Sequence, residues 1–386
     1  MARFDDLVAG HAWGFAEASE LLTASRLEDV PGVLQEVEQA TTAGAWAFGM
    51  VAYEAAPALD AALFARRAIP GLPLVWFGVG QAPVRVPLLA AHAGRAYDVG
   101  RWTPDWDGVR HGEAVARVRD MINDGETYQC NLTTRLRAPA GGDLDQMYAD
   151  LALAQRGAYN AYLDLGRFAV LSASPELFFE TIGSRIVMRP MKGTMARGRT
   201  GAEDDEQVRR LLSSPKEWAE NVMIVDLVRN DLARVARAGS VSVPALCTVE
   251  RFETLHQLTS QVEAELRPEV RLLDIFRGLF PCGSVTGAPK ARTMRLIAEL
   301  EDAPRGPYCG AIGMVAPPGA PVRARFSVAI RTILVDRASN EAVYGSGGGI
   351  TWDSDAGSEY AELLVKARIL DALGKPLRPA GAALVG

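Results

Sequence analysis

The sequence predicts an α+β fold, and three observations carry that expectation. Strand-like runs come in groups, helix-like stretches fall between the groups, and the two do not alternate one for one as a doubly wound parallel sheet requires. Residues 46–53 and 74–79 read as strands, within a first hundred residues rich in Ala, Leu and Val and punctuated by prolines at 70–73 and 83–87. Residues 100–108, with Trp102, Pro104 and Trp106, read as a connector. Helical periodicity then runs over 109–124 and stops at Gly125, and 127–136 reads as a strand. Residues 168–172, 176–181 and 185–191 form a predicted meander with a turn at 182–184. A long helical stretch, 204–238, is broken by Pro215 and closed by Gly239. Strands are expected at 248–253 and 255–266, helices at 270–279 and 288–301, strands at 310–315, 324–335 and 342–350, and a closing helix at 358–373. No internal repeat or low-complexity tract interrupts this order.

The bulk numbers set bounds on function. A chain of 386 residues makes one large domain or two medium ones, and 48% hydrophobic with 23% charged residues suits a globular protein with a real core. A net charge of -6 argues against a broad basic face for nucleic acid. It does not exclude an anionic substrate, because the charge within a pocket matters more than the total. Cys130, Cys247, Cys282 and Cys309 include no CxxC pair, and a chain this large has no need of disulfide staples, so free thiols in a reducing cytosol are expected. The first residues carry Asp5 and Asp6 and do not form a signal peptide, and no apolar run is long enough to span a membrane. A cytoplasmic protein without membrane or nucleic-acid partners is the expectation.

Three constellations could carry chemistry. In Arg189-Pro-Met-Lys-Gly-Thr194 a lysine ends a predicted apolar strand and is followed by glycine, which permits close approach of a ligand. Lys192 could be a nucleophile if its amine were kept neutral; from spacing alone it reads equally as an exposed strand-end lysine. Glu217 and Glu220 are three apart on a predicted helix and share a face, and Glu359 and Glu362 repeat that spacing on the last one. Four such carboxylates could hold Mg²⁺, or could be two solvated acidic faces. The four histidines are unclustered, so zinc is not expected. The run Gly345-Ser-Gly-Gly-Gly349 could receive a carboxylate on its backbone N–H groups, or could be a flexible turn. Gly283-Ser-Val-Thr-Gly-Ala-Pro-Lys290 looks like a phosphate-binding loop but fails as one, because Lys290 does not follow Gly287 and no Ser or Thr follows the lysine. Glu176, Arg331, Lys366 and His256 stand alone: each has a reading in a pocket and one as an ordinary edge, ion-pair or core residue.

These pieces occur together and in one order, and in that order the sequence resembles the chorismate-utilising enzymes, which include anthranilate, aminodeoxychorismate, isochorismate and salicylate synthases. The resemblance rests on Gly125-Glu-Thr-Tyr-Gln-Cys-Asn-Leu132, Ser174-Pro-Glu-Leu-Phe178, the Lys192 motif, Ala219-Glu-Asn-Val-Met-Ile-Val-Asp-Leu-Val-Arg-Asn-Asp-Leu232 and the Gly283 stretch. It continues through Tyr308-Cys-Gly-Ala-Ile-Gly313, Ser327-Val-Ala-Ile-Arg-Thr332, Gly347-Gly-Gly-Ile-Thr-Trp-Asp-Ser-Asp355 and Glu359-Tyr-Ala-Glu362, roughly two thirds of the chain. It implies a single large domain built as an orthogonal sandwich of two antiparallel sheets with helices outside and a pocket between the sheets. Residues 1–108 would complete the sandwich, 109–375 would bind chorismate, and 376–386 would be a tail. By motif position Glu220 and Glu362 match ligands of a Mg²⁺ that holds the ring carboxylate, with Glu217 and Glu359 acting through water. Tyr308, Arg331, Gly347, Gly348 and Gly349 match the positions that receive the enolpyruvyl carboxylate. Gly193 and Thr194 match ring contacts, Lys366 adds positive charge near Glu362, and His256 matches the family's catalytic histidine.

Two positions choose within the family. Isochorismate and salicylate synthases carry a lysine base where this chain has Gln129, and an amide cannot activate water. Anthranilate synthases carry alanine where this chain has Lys192, and aminodeoxychorismate synthases carry lysine. The resemblance therefore implies amination at C4, with Glu176 protonating the departing hydroxyl and Lys192 attacking C2 to form an adduct that ammonia then displaces. Attack needs a neutral amine; desolvation favours that and neighbouring carboxylates oppose it. No glutaminase segment is found, so a separate glutamine amidotransferase subunit is expected to supply ammonia, and the chain ends too soon after the closing helix for a fused lyase. Gly157-Ala-Tyr-Asn160 lacks the proline-rich signature of the wall where some relatives bind tryptophan, so the resemblance does not extend to a tryptophan site. The rivals are anthranilate synthase component I, against which Lys192 speaks, and a silent homologue that binds chorismate without turning it over.

Overall fold

The computed structural model describes residues 1–92, 94–252 and 255–374. Among these residues the strands build two sheets in which every pairing is antiparallel. The first follows the order Gly287–Ala288, Gln129–Gly142, Glu341–Ile350, Thr332–Asp336, Phe168–Ser174, Tyr159–Asp164, Ala2–Asp6, His11–Phe15, Val84–Arg85, with Tyr97–Val99 and Thr103–Pro104 also paired to Gln129–Gly142. The second runs Met191–Ala196, Leu255–Glu265, Arg185–Arg189, Leu177–Ile182, Ala324–Val328, Ala311–Val315, Trp46–Val51, Val75–Gly80, Glu20–Ala24, and Ser242–Arg251 also pairs with Leu255–Glu265. The first hundred residues thus supply strands to both sheets.

The α+β expectation holds, and side-chain alternation along the strands explains how the layers stack. Phe4, Phe15 and Val170 of the first sheet meet Phe48, Met50, Trp76 and Ile312 of the second, with the rings of Phe15 and Phe48 stacked at 4.4 Å. Leu136, Leu171, Ile333 and Tyr344 point to the other face of the first sheet, under the helix Leu144–Gln155 and the 3-10 turns Ala367–Leu373. Phe77, Phe179 and Phe326 point to the other face of the second sheet, where Phe276 of the helix Leu272–Leu279 packs 5.2 Å from Phe326. The helices Val30–Thr42 and Pro215–Ala233 cover the same layer. Fully burying one such aromatic is worth about 1.5–3 kcal/mol, so these clusters are the main cohesive element of the fold. No helix among the described residues is long and apolar enough to cross a membrane.

Several expected elements are redrawn, each for a physical reason. The single strand expected at 324–335 is two strands in different sheets, Ala324–Val328 in the second and Thr332–Asp336 in the first. Both are largely buried and neither Gly nor Pro interrupts residues 324–335, so the pattern does not mark the change. The strand expected at 185–191 ends at Arg189, and Met191–Ala196 opens a separate strand after Pro190, which has no N–H to continue the ladder. The stretch 204–238 is two helices, Gly201–Ser213 and Pro215–Ala233. Proline takes the first position of the second, and the Ser214 hydroxyl accepts the Glu217 N–H as its cap. The closing helix is α-helical over Ala356–Lys366 and tightens to 3-10 turns beyond. Of the strand expected at 248–253, Glu253 lies outside the described residues, as does the tail 376–386.

Candidate active site

The chain crosses between the sheets twice at one place. Ser174 ends a strand of the first sheet and Leu177 begins one of the second; Val328 ends a strand of the second and Thr332 begins one of the first. The backbone links the crossings, since the Val328 N–H donates to the Glu176 carbonyl at 3.1 Å. Pro175, Glu176, Ile330 and Arg331, the residues of the crossings, line a cleft. A strand cannot change sheets without leaving both ladders, so polar side chains are released here into the space between layers.

Lys192 reaches the cleft from the strand Met191–Ala196. The register slips between Lys192 and Thr194 opposite Leu258 and Gln257, a bulge centred on Gly193. Gly193 has φ 78°, and a Cβ there would stand 2.9 Å from Glu217 Oε2, so the bulge needs glycine on both counts. Glu176 is buried, and Ser284 donates its hydroxyl to Oε1 at 2.7 Å. Burial pushes the Glu176 carboxyl up to about 7, against the pull of Ser284, the Lys192 ammonium and the Met191 backbone. A buried acid poised near neutrality beside an amine is what proton delivery at a reacting centre needs.

The glycine run is not a turn. Gly345, Gly347 and Gly349 lie in the strand Glu341–Ile350, paired with Arg135, Thr133 and Asn131. A Cβ on Gly345 would strike the Tyr308 ring, and one on Gly349 would strike the Gln129 amide and stand 2.8 Å from Lys192 Nζ. The strand is stripped of side chains to form the floor of the cleft. Tyr308 packs on that floor, its phenol pushed well above the ordinary range by burial, so it stays a hydrogen-bond donor.

All four glutamates line the cleft, Glu217 and Glu220 from the first turns of Pro215–Ala233 and Glu359 and Glu362 from Ala356–Lys366. Burial, reinforced by Glu220 and Glu362, pushes Glu217 up to about 7. Burial also raises Glu220, although Lys192 and Lys216 oppose it, whereas Lys366 lowers Glu362. Lysines are set among them: Lys216 Nζ is 3.7 Å from Glu359 and 3.9 Å from Glu220, and Lys366 Nζ is 2.8 Å from Glu362 and donates to the Gly347 carbonyl at 3.0 Å. Among the described residues no three His, Cys, Asp or Glu side chains converge closely enough to enclose a metal. The donor set is all oxygen, carboxylate and mutually repelling, which fits a hard divalent cation such as Mg²⁺.

Thr194 and Gly348 also line the cleft. Two expected site residues stand apart from it. Gln129 is buried and does not line the cleft, although its Nε2 and Lys192 Nζ lie on the same side of Gly349, and neither atom of its amide has a hydrogen-bond partner among the described residues. His256 is fully buried and its Nε2 faces Asp204 at 2.8 Å, away from the lining. The reading from sequence missed Lys216 and Asn131, which line the cleft, and considered Ser284 only within a failed phosphate loop. The position of Lys216 beside Glu217 was the available signal. Lys290 of that loop is an internal ion pair with Asp231 at 2.8 Å.

Residues 8–371 match the family described as chorismate binding enzyme, and the chain belongs to that family. Among curated relatives, aminodeoxychorismate synthase component 1 of Escherichia coli (strain K12) is 42% identical over 71% of this chain and 60% of its own length. Anthranilate synthase component 1 1 of Haloarcula marismortui is 40% identical over 68% of this chain and 54% of its own. The chain thus spans little more than half to three fifths of the length of these relatives. A crystal structure of anthranilate synthase component I from Streptococcus pneumoniae TIGR4 superposes with a TM-score of 0.76 at 26% identity, covering 87% of this chain and 84% of that one.

Proposed function

We propose that the protein aminates chorismate at C4 to give 4-amino-4-deoxychorismate, with Lys192 as covalent nucleophile and ammonia supplied by a glutamine amidotransferase subunit. The observation that carries this reading is the placing of the Lys192 amine and the buried acid Glu176 in one cleft, close enough for the ammonium to pull on the carboxyl. The substrate is a dianion; Tyr308, Arg331 and the backbone of Gly347–Gly349 would receive its enolpyruvyl carboxylate, and Lys366, paired with Glu362, adds positive charge. Glu220 and Glu362 would hold Mg²⁺, with Glu217 and Glu359 behind water. The ion would supply neutralisation of the ring carboxylate.

Glu176 gives its proton to the C4 hydroxyl, which leaves as water. Lys192 Nζ, as the neutral amine, forms a bond to C2 as the ring double bonds shift, and passes the excess proton back to the Glu176 carboxylate. Ammonia then bonds to C4, the double bonds shift back, and the proton it sheds goes to Nζ as the C2–Nζ bond breaks, restoring the Lys192 amine. Mixing the protein with chorismate and no ammonia is expected to give an adduct at Lys192 by intact-protein and peptide mass spectrometry, absent from Lys192→Ala. An adduct of equal yield in that variant would sink the mechanism.

Proton donation by Glu176 sets a pH dependence. An acid raised to about 7 is protonated below that value and ionised above it, so kcat/KM should fall about tenfold per pH unit above about 7. Glu176→Gln should remove that limb and cost about 10²–10⁴-fold in rate; a variant that keeps the wild-type limb would assign the proton elsewhere.

Anthranilate formation is the second reading, favoured by the relatives and the solved structure that carry that name. The two separate in one assay with ammonium and Mg²⁺: release of pyruvate and anthranilate fluorescence without added lyase would select the second.

A further inference from the structure

We propose that Gln155 is a positioning residue that holds the Arg331 guanidinium in the cleft, and that its being neutral is what leaves Arg331 free to bind an anion. The inference rests on the reading of Arg331 as the receiver of a substrate carboxylate. It goes beyond that reading by assigning a role to a residue in another layer of the molecule.

Arg331 has φ 52°, the left-handed region, which a residue with a side chain enters only at a cost. The backbone is fastened there from three sides: Ala173 N–H donates to the Arg331 carbonyl at 3.0 Å, Ile330 N–H to Val328 at 2.8 Å, and Ala329 N–H to Gly310 at 2.9 Å. This pins the Cα but not the end of a side chain with several rotatable bonds. Among the described residues the guanidinium is held by one hydrogen bond, from Nη1 to Gln155 Oε1 at 3.0 Å. A guanidinium has donors only, so the carboxamide must present its oxygen to it.

Gln155 is built for this contact. It is the last residue of the helix Leu144–Gln155, is 2% exposed, and is followed by Arg156 at φ 51°, which ends the helix at that point. With the oxygen committed to Arg331, the Nε2 of Gln155 is buried with no partner. A buried donor left unpaired costs stability, and a methionine of like shape would fill the same space without that cost. Its retention is explained by the hydrogen bond on its other end. A glutamate would hold the guanidinium more tightly, but would cancel its charge and compete with the carboxylate it is to receive.

The test is steady-state kinetics of the full chain with chorismate and ammonium on Gln155→Met, Arg331→Ala and the double variant. Gln155→Met is expected to raise KM for chorismate about tenfold with kcat within about twofold, the effect of losing one charge-assisted hydrogen bond. The double variant is expected to be no worse than Arg331→Ala alone, because Gln155 acts only through Arg331. An unchanged KM in Gln155→Met while Arg331→Ala raises it overturns the role of Gln155; so does an additive loss in the double variant. An unchanged KM in Arg331→Ala overturns instead the reading of Arg331. Should Gln155→Met not fold by circular dichroism, Gln155→Glu keeps the acceptor and is expected to raise KM by pairing Arg331. A wild-type KM there overturns the proposal.

Discussion

Lys192→Ala is expected to lower the turnover of chorismate by about 10³-fold or more, roughly 4 kcal/mol of barrier, while leaving the fold intact. The size follows from the role. Removing a nucleophile removes a reaction path, whereas removing a binding contact only weakens occupancy, so the loss should fall on kcat and not on KM. The fold should tolerate the change, because Lys192 is only part-buried and the local geometry is set by Gly193 and by pairing with Leu258. Kinetics at saturating chorismate with ammonium as nitrogen source, beside a thermal melt, separate the two effects. A kcat within tenfold of wild type in a folded variant would leave Lys192 a bystander.

The largest expected effect on stability comes from Arg305→Met, about 3–5 kcal/mol, because it strands a buried charge. Arg305 and Glu301 are both nearly inaccessible and pair at 2.6 and 2.9 Å. The same guanidinium donates to the carbonyls of Val285 at 2.7 Å and Asn131 at 2.8 Å and lies 4.6 Å from the Tyr53 ring centre. Glu301 accepts from the N–H and hydroxyl of Thr133 at 3.0 and 2.8 Å. Glu54 closes the network by accepting the backbone N–H groups of Arg305 and Gly306. Arg305→Met would leave the Glu301 carboxylate buried with only the Thr133 donors and no counter-charge, and would take a donor from the carbonyls of Val285 and Asn131. Converting both partners, Arg305→Met with Glu301→Leu, should be less damaging than either single change, since no isolated charge remains. Chemical denaturation of the three variants decides it; a single variant losing less than about 1 kcal/mol would show that water reaches the pair. Asn131 and Val285 line the cleft, so a loss of substrate affinity should accompany the loss of stability.

Much of the site was legible along the chain because its parts are carried by short motifs with local mechanics. Glu217 with Glu220, and Glu359 with Glu362, share a helix face by spacing alone, and the structure turns both faces into one cleft. Gly193 beside Lys192 announced a close approach, which the bulge and Glu217 now explain. What stayed open or was missed has other causes. The glycine run reads along the chain as either a turn or a carboxylate-binding backbone, although a strand is expected over 342–350; its partner strand settles it as part of that strand. Several elements of the first 165 residues, including Val30–Thr42, Leu144–Gln155 and Ala2–Asp6, went unmarked. Val30, Val33, Leu34 and Val37 do recur at helical spacing and were the available signal for the first of them, whereas short strands such as Ala2–Asp6 gain definition only from neighbours distant in sequence.

Residue type and local spacing determined the α+β class and the sharing of a helix face within each glutamate pair; that the carboxylates, the glycines and Lys192 belong to one site came from the resemblance carried by the ordered motifs. Tertiary structure alone decided which side chains face one another. The change of sheet at Arg331, the bond from Gln155 across layers, the placement of the Gln129 amide on the same side of Gly349 as Lys192 and the turning of His256 toward Asp204 all depend on contacts between segments far apart in the chain. No local pattern encodes such contacts, since the pairing of strands from opposite ends of the chain is chosen by the global burial of apolar faces.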